Sequence, residues 1–166
     1  MQMTIISTTG GNNYSLALKI QAIAKELEFN AEVINLEKYN FPLYSPTEEK
    51  KSVPTKATEL SGIFGSSQIL VFLAPEYNGS IPPVLSNAIS WVTRSGKDWR
   101  QAFNGKLAIV GTYSGGGGLK VTQAMRSQLE HLGVIVHPRP ILTNGGKEFN
   151  EKSANSILSD LKGLLK

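Results

Sequence analysis

Three short stretches bring together residues that could do chemistry: STTGGNNYS (7–15), PEYNGSIPP (75–83) and GTYSGGGGL (111–119). The first holds hydroxyls, side-chain amides and a glycine pair but no charge, and no Lys or Arg precedes Lys19. Backbone N–H groups, hydroxyls and a helix starting near Asn13 to Ser15 are the donors that suit a phosphate. A polar loop that caps its helix is the equally weighted alternative. The second stretch places a carboxylate, a phenol, an amide and three prolines between an apolar run and a helix. A flat heterocycle could rest against such a backbone, its edge read by peptide groups. Pro75 and Gly79 would set the chain path, while Tyr77 and Asn78 would cover or bond the ring. The third has four consecutive glycines just before a helix. Each costs backbone entropy, so four together point to close main-chain approach to a ligand, with a flexible turn as the alternative. The first loop fits neither GxxxxGK[ST] nor GxGxxG, which removes a P-loop and weakens a classical dinucleotide fingerprint.

These loops need a scaffold. Five short apolar runs stand out: MTIIS (3–7), AEVINL (31–36), QILVFLA (68–74), KLAIVGTY (106–113) and GVIVH (133–137). The third and fourth are almost continuously apolar, as strands buried on both faces are. Between them lie helical patterns at 15–28, with Leu16, Ile20, Ile23 and Leu27 on one face, at 55–65, after Pro82 and Pro83, at 118–132 and at 151–165. Strand and helix alternate five times, which predicts an open, doubly wound α/β sheet in one domain spanning 1–166. In such a sheet ligands bind beyond the carboxyl ends of the strands. All three polar stretches start there. Residues 38–53 read as an irregular flap after the second strand.

Composition narrows the function. With 40% hydrophobic and 18% charged residues the chain is of globular type. No cysteine and only His131 and His137 argue against a thiolate or histidine metal site. The net charge of +4 is dispersed, which favours a mildly basic surface over a nucleic-acid interface. No apolar run is long enough to span a membrane, and MQMTIIS reads as a strand instead of an export signal, so a cytoplasmic protein is expected. A receiver domain is disfavoured, because the ends of strands one and three offer Glu76 alone as an acid. His137 is expected to pack at a strand end, His131 to close a helix, and Trp91 and Trp99 to serve the core or a subunit contact.

The chain resembles the NADPH-dependent FMN reductase family, flavodoxin-like flavoproteins that include azo and quinone reductases. The resemblance rests on PEYNGSIP (75–82) followed by VLSNAISWV, on LEKYNFPLY (36–44), on SGGGGL (114–119) and on HPRPILTNGGKEFNE (137–151). It implies a flavodoxin-like three-layer sandwich with a five-stranded parallel sheet and helices on both faces. It also implies an NAD(P)H-dependent oxidoreductase with FMN as cofactor, NADPH or NADH as donor and a flavin, quinone, azo compound or similar small molecule as electron acceptor. By the same resemblance Thr8, Asn13, Tyr14 and Ser15 surround the phosphate. Pro75, Glu76, Tyr77, Asn78 and Gly79 line one side of the isoalloxazine, and Thr112, Ser114, Gly115 and Gly116 face its pyrimidine part. It implies a homodimer or homotetramer, and no side chain is singled out as an acid or base. Gly10 stands where family members commonly carry an Arg, Asn13 where Ser is frequent, Ser15 where Asn is frequent and Pro83 where Gly is usual. Loss of the Arg removes a charge-assisted contact worth about 1.5–3 kcal/mol. An electron carrier of flavodoxin type and a cofactor-free binding module are the competing readings. The basic charge weighs against the carrier, and the missing Arg gives the module some weight.

Overall fold

The computed structural model describes residues 1–165. Six strands form one parallel sheet: β1 (Gln2–Ser7), β2 (Asn30–Asn35), β3 (Ile69–Leu73), β4 (Leu107–Tyr113), β5 (Ile135–Val136) and β6 (Ile141–Thr143). The order is β2-β1-β3-β4-β5, with β6 also pairing β4. This is the flavodoxin-like order. The helices are α1 (Asn12–Glu26), α2 (Pro46–Lys51), α3 (Thr55–Ser66), α4 (Pro83–Arg94), α5 (Leu119–His131) and α6 (Glu151–Leu164).

Alternation along the central strands builds two cores. Ile69, Val71 and Leu73 of β3 and Leu107 and Ile109 of β4 turn to one face, where Leu16, Ile20 and Ile23 of α1 and Ile157, Leu158 and Leu161 of α6 cover them. Leu70, Phe72 and Ala74, with Ala108 and Val110, turn to the other, against α3, α4 and α5. Full burial of a side chain such as Phe72 contributes about 1.5–3 kcal/mol, so this two-sided covering is why the third and fourth runs are apolar throughout.

The expected parallel sheet stands, with added detail at its fifth position, and the expectation for 38–53 is corrected. The fifth position in the sheet is filled by two short strands, β5 and β6, both paired with β4. Pro138 and Pro140 lie between them, and a proline cannot donate to the ladder. The segment 38–53 is more ordered than an irregular flap. It follows a 3-10 turn at Leu36–Tyr39 and contains α2, whose N-cap Ser45 accepts from Glu48 N–H at 3.1 Å. Its anchor is α4: the Trp91 indole N–H donates to Pro42 C=O at 2.7 Å, and Tyr44 N–H donates to Asn87 Oδ1 at 2.8 Å. Trp91 is fully buried, whereas Trp99 is half exposed with the Arg100 guanidinium 4.4 Å from its ring. The Tyr44 hydroxyl and Arg94 both bond Glu49, which holds its carboxyl below the usual range. That contribution is present above the ordinary carboxyl pKa and is lost as pH falls through the lowered one.

Among the described residues no helix is long and apolar enough to cross a membrane. Among them, too, no group of three or more His, Asp or Glu side chains is placed to hold a metal.

Candidate functional site

Sheet register sets the site. Ser7 pairs with Leu73, and Leu73 with Gly111, so the three polar loops leave the sheet at the same level. Thr8 N–H donates to Leu73 C=O at 2.9 Å and Ala74 N–H to Gly111 C=O at 3.2 Å, so the first loop residues are locked as well. Below these loops sit two buried hydroxyls, Thr8 Oγ1 and Thr112 Oγ1, with no hydrogen-bond partner. A buried polar atom without a partner is uncommon and calls for a ligand or water to complete it.

The first loop runs into α1, which starts at Asn12, some three residues before the hydrophobic periodicity begins. Tyr14 is half-buried, and Ser15 is exposed on the first turn. Asn13 is placed differently from the expectation. Its side chain is 2% exposed and bonds the Tyr113 peptide twice, Nδ2 donating to the carbonyl at 2.9 Å and Oδ1 accepting from the N–H at 2.8 Å. The amide is thus committed to fixing the first loop against the end of β4. Asn13→Ala is expected to cost about 2–3 kcal/mol in urea denaturation, since both Tyr113 groups lose their partners. A loss below about 0.5 kcal/mol, the scale of a plain surface substitution, would refute the clamp.

The second loop is a miniature hairpin. Tyr77 and Ser80 exchange N–H···O=C bonds at 3.1 and 2.9 Å across Asn78 and Gly79. Both turn residues have positive φ, 50° and 72°, the type I′ geometry that Asn-Gly favours. Pro82 and Pro83 then open α4. Tyr77 is half exposed, and Pro75 is half-buried. Glu76 is also placed differently from the expectation: its carboxylate accepts from the Val121 N–H in the first turn of α5 at 3.3 Å. There it meets the positive end of the helix and ties the second loop to the third.

The third loop folds back over its own strand. At Gly118 φ is 72°, and a Cβ would stand 2.3 Å from Thr112 Cγ2. Gly115, Gly116 and Gly117, in contrast, face open space. Ser114 Oγ and Asn144 Nδ2 both donate to Gly116 C=O at 3.1 Å, and Ser114 N–H donates to Thr143 C=O at 3.2 Å. Among the described residues the N–H groups of Gly115, Gly116 and Gly117 find no protein acceptor, nor do those of Asn78 and Gly79.

The structure therefore brings Thr8, Tyr14, Ser15, the Pro75–Gly79 backbone, Thr112, Ser114, Gly115 and Gly116 to the carboxyl end of the central strands. Four contributors went unread in the sequence. Asn144 and Thr143 brace the glycine loop; the TNGG turn was their signal. Lys120 lies over the hairpin, its Nζ 3.8 Å from where a Gly79 Cβ would stand. Glu37 reaches the first loop, its Oε2 accepting from Gly10 N–H at 2.6 Å. A cavity of about 560 Å³, lined by Ser15, Lys19, Tyr113, Asn144 and Phe149, opens between the first loop and the turn after β6. A second, of about 330 Å³ and with more apolar walls, lies between Leu36, Glu37, Phe41, Leu43 and Val84.

FMN, the cofactor the fold family implies, fits these residues on three counts. The orphaned hydroxyls sit at the ends of β1 and β4, the free amides lie in two adjacent loops, and the three glycines leave room beside them.

Comparison with known proteins points the same way. The chain is 30% identical over 128 residues to an uncharacterised protein of Mycoplasma pneumoniae, covering 75% of this chain and 76% of that one. It is 33% identical over 110 residues to the NAD(P)H-dependent FMN reductase LOT6 of Saccharomyces cerevisiae, covering 61% of this chain and 54% of the yeast protein, about half of its length. The flavoenzyme NAD(P)H:(acceptor) oxidoreductase FerB of Paracoccus denitrificans superposes with a TM-score of 0.74 at 22% identity, covering 98% of this chain and 93% of that one, which shows a shared fold. The family model of NADPH-dependent FMN reductase matches residues 3–148, a span that takes in all three loops and the sheet that holds them. The chain belongs to the NADPH-dependent FMN reductase family.

Proposed function

We propose that this chain is an FMN-dependent NAD(P)H oxidoreductase that passes electrons to a flat, conjugated acceptor of the quinone, flavin or azo class. The observation that carries the reading is the set of free backbone donors in two neighbouring loops, Asn78–Gly79 and Gly115–Gly117, above the partnerless hydroxyls of Thr8 and Thr112. When bound, FMN supplies the hydride-accepting chemistry and the transfer of electrons onward.

The chain's own residues bind, orient and bias. Thr8, Tyr14, Ser15 and the first amides of α1 hold the phosphate, because the first N–H groups of a helix have no internal acceptor. The backbone of Pro75 to Gly79 lines one side of the ring. Thr112, Ser114, Gly115 and Gly116 face the pyrimidine edge, where fixed N–H donors favour negative charge. Lys120 adds a cation beside the second loop. In this reading Asn13 and the Glu76 carboxylate position loops and do not touch the cofactor. A homodimer or homotetramer in the cytoplasm completes the proposal. Leu43, 79% exposed, and Leu119, 56% exposed, offer apolar surface beside the site.

The test is optical. Purified protein titrated with FMN is expected to take up the coenzyme with a shifted visible band. Addition of NADPH or NADH under argon is then expected to bleach it, and a quinone to restore it. A folded protein that takes up no FMN overturns the reading. One that binds FMN but is bleached by neither nucleotide is a carrier.

A further inference from the structure

The first loop holds an anion of the protein's own. Gly10 N–H donates to Glu37 Oε2 at 2.6 Å, and the Glu37 backbone is set by Asn35, whose Oδ1 accepts from Glu37 N–H at 3.0 Å. Asn35 is the cap of the 3-10 turn that follows β2, so the carboxylate is delivered by regular structure. The two positions are matched. A Cβ on residue 10 would lie 3.1 Å from Asn35 Nδ2 and 3.3 Å from Glu37 Oε2, so a side chain there would press on the carboxylate. No Lys or Arg occurs before Lys19, and Lys19 lies against the Phe149 ring, its Nζ 6.0 Å from the ring centre. Glu37 makes no ion pair among the described residues.

A phosphate drawn to the N–H groups of this loop therefore meets a carboxylate already bonded to one of them. Like charges oppose each other, and charge–charge energies at a protein surface reach a few kcal/mol at about 4 Å. The isoalloxazine and ribityl parts of a flavin feel none of this.

We infer that Glu37 is a specificity residue that offsets the advantage of the phosphate, so that the site takes neutral riboflavin nearly as well as FMN. The inference rests on the flavin-binding reading above. It widens the range of flavins the site accepts to the dephosphorylated form. It also explains Gly10 as the partner of Glu37, because a glycine leaves the carboxylate its place.

The experiment is titration of riboflavin and FMN, followed by flavin fluorescence quenching, with wild type, Glu37→Gln and Glu37→Ala. Gln keeps an oxygen that can accept from Gly10 N–H and removes the charge. Ala removes both. Wild type is expected to bind the two flavins within about tenfold of each other. Both variants are expected to bind FMN about tenfold more tightly, a step of about 1.4 kcal/mol, with riboflavin affinity unchanged within about twofold. Riboflavin serves as the fold control. If both variants lose riboflavin and FMN in parallel, Glu37 is structural and the inference is overturned. An unchanged FMN-to-riboflavin ratio overturns it too, as does a wild type that binds FMN strongly and riboflavin hardly at all. These outcomes leave the proposed function standing. A wild type that binds neither flavin removes both.

Discussion

Gly118→Ala is expected to lower stability by at least about 3 kcal/mol and to abolish flavin uptake. The residue has φ 72°, a region that costs an L side chain about 1–2 kcal/mol. Its new methyl would stand 2.3 Å from Thr112 Cγ2 and 3.2 Å from Ser114 Oγ. Thr112 is fully buried in β4 and cannot yield, so the loop must move instead. Moving it displaces the Gly115 to Gly117 amides and the start of α5 together. Urea denaturation and FMN titration on the same sample check both parts. Loss of stability within about 0.5 kcal/mol, with coenzyme uptake intact, would show that the loop does not fold over Thr112 in solution. Gly115→Ala is the companion control, because its Cβ meets nothing within 4 Å. It is expected to keep the fold.

Gly79→Val is expected to leave a folded protein that has lost its colour. The I′ turn needs positive φ at both Asn78 and Gly79, and a β-branched residue tolerates it worst. The turn is at the surface, and the neighbour nearest the new Cβ is the flexible Lys120 side chain, at 3.3 Å. The damage therefore stays local: the hairpin opens and its two free amides lose their aim. Two such bonds at about 1–1.5 kcal/mol each correspond to roughly a hundredfold loss of FMN affinity. Gly79→Asn separates conformation from bulk. Asn visits the left-handed region readily, so this variant is expected to stay yellow. Equal flavin binding by Gly79→Val and wild type would remove the second loop from the site.

The sheet was legible because each strand writes its burial into its sequence. QILVFLA and KLAIVGTY are apolar at consecutive positions because both faces of β3 and β4 are covered. The divided fifth position was less so, since Val136 and Ile141 are separated by two prolines whose effect on pairing depends on β4. The helix α2 had a signature that went unread: Ser45-Pro46-Thr47-Glu48 is an N-cap, a proline in the first turn and an acid three residues on. The three loops could be read as a site because glycines and prolines mark unusual backbone. What lay beyond sequence was the use of each polar side chain. Asn13 and Glu76 look like ligand donors in a string of letters. Their partners, Tyr113 and Val121, are 100 and 45 residues away. Glu37 failed to register for the same reason: only the β1–β2 pairing brings it to Gly10.

That hundred-residue reach from Asn13 to Tyr113 has a consequence for assembly order. Long closures carry the larger entropy cost in folding, so the first loop is expected to gain its fixed shape only once the fourth strand has been laid beside the third. The glycine loop waits longer still, for Thr143 and Asn144. A vitamin-derived coenzyme thus has nothing to grip on a half-made chain. In a refolding jump, quenching of its fluorescence is expected to coincide with the slowest step and never to run ahead of it.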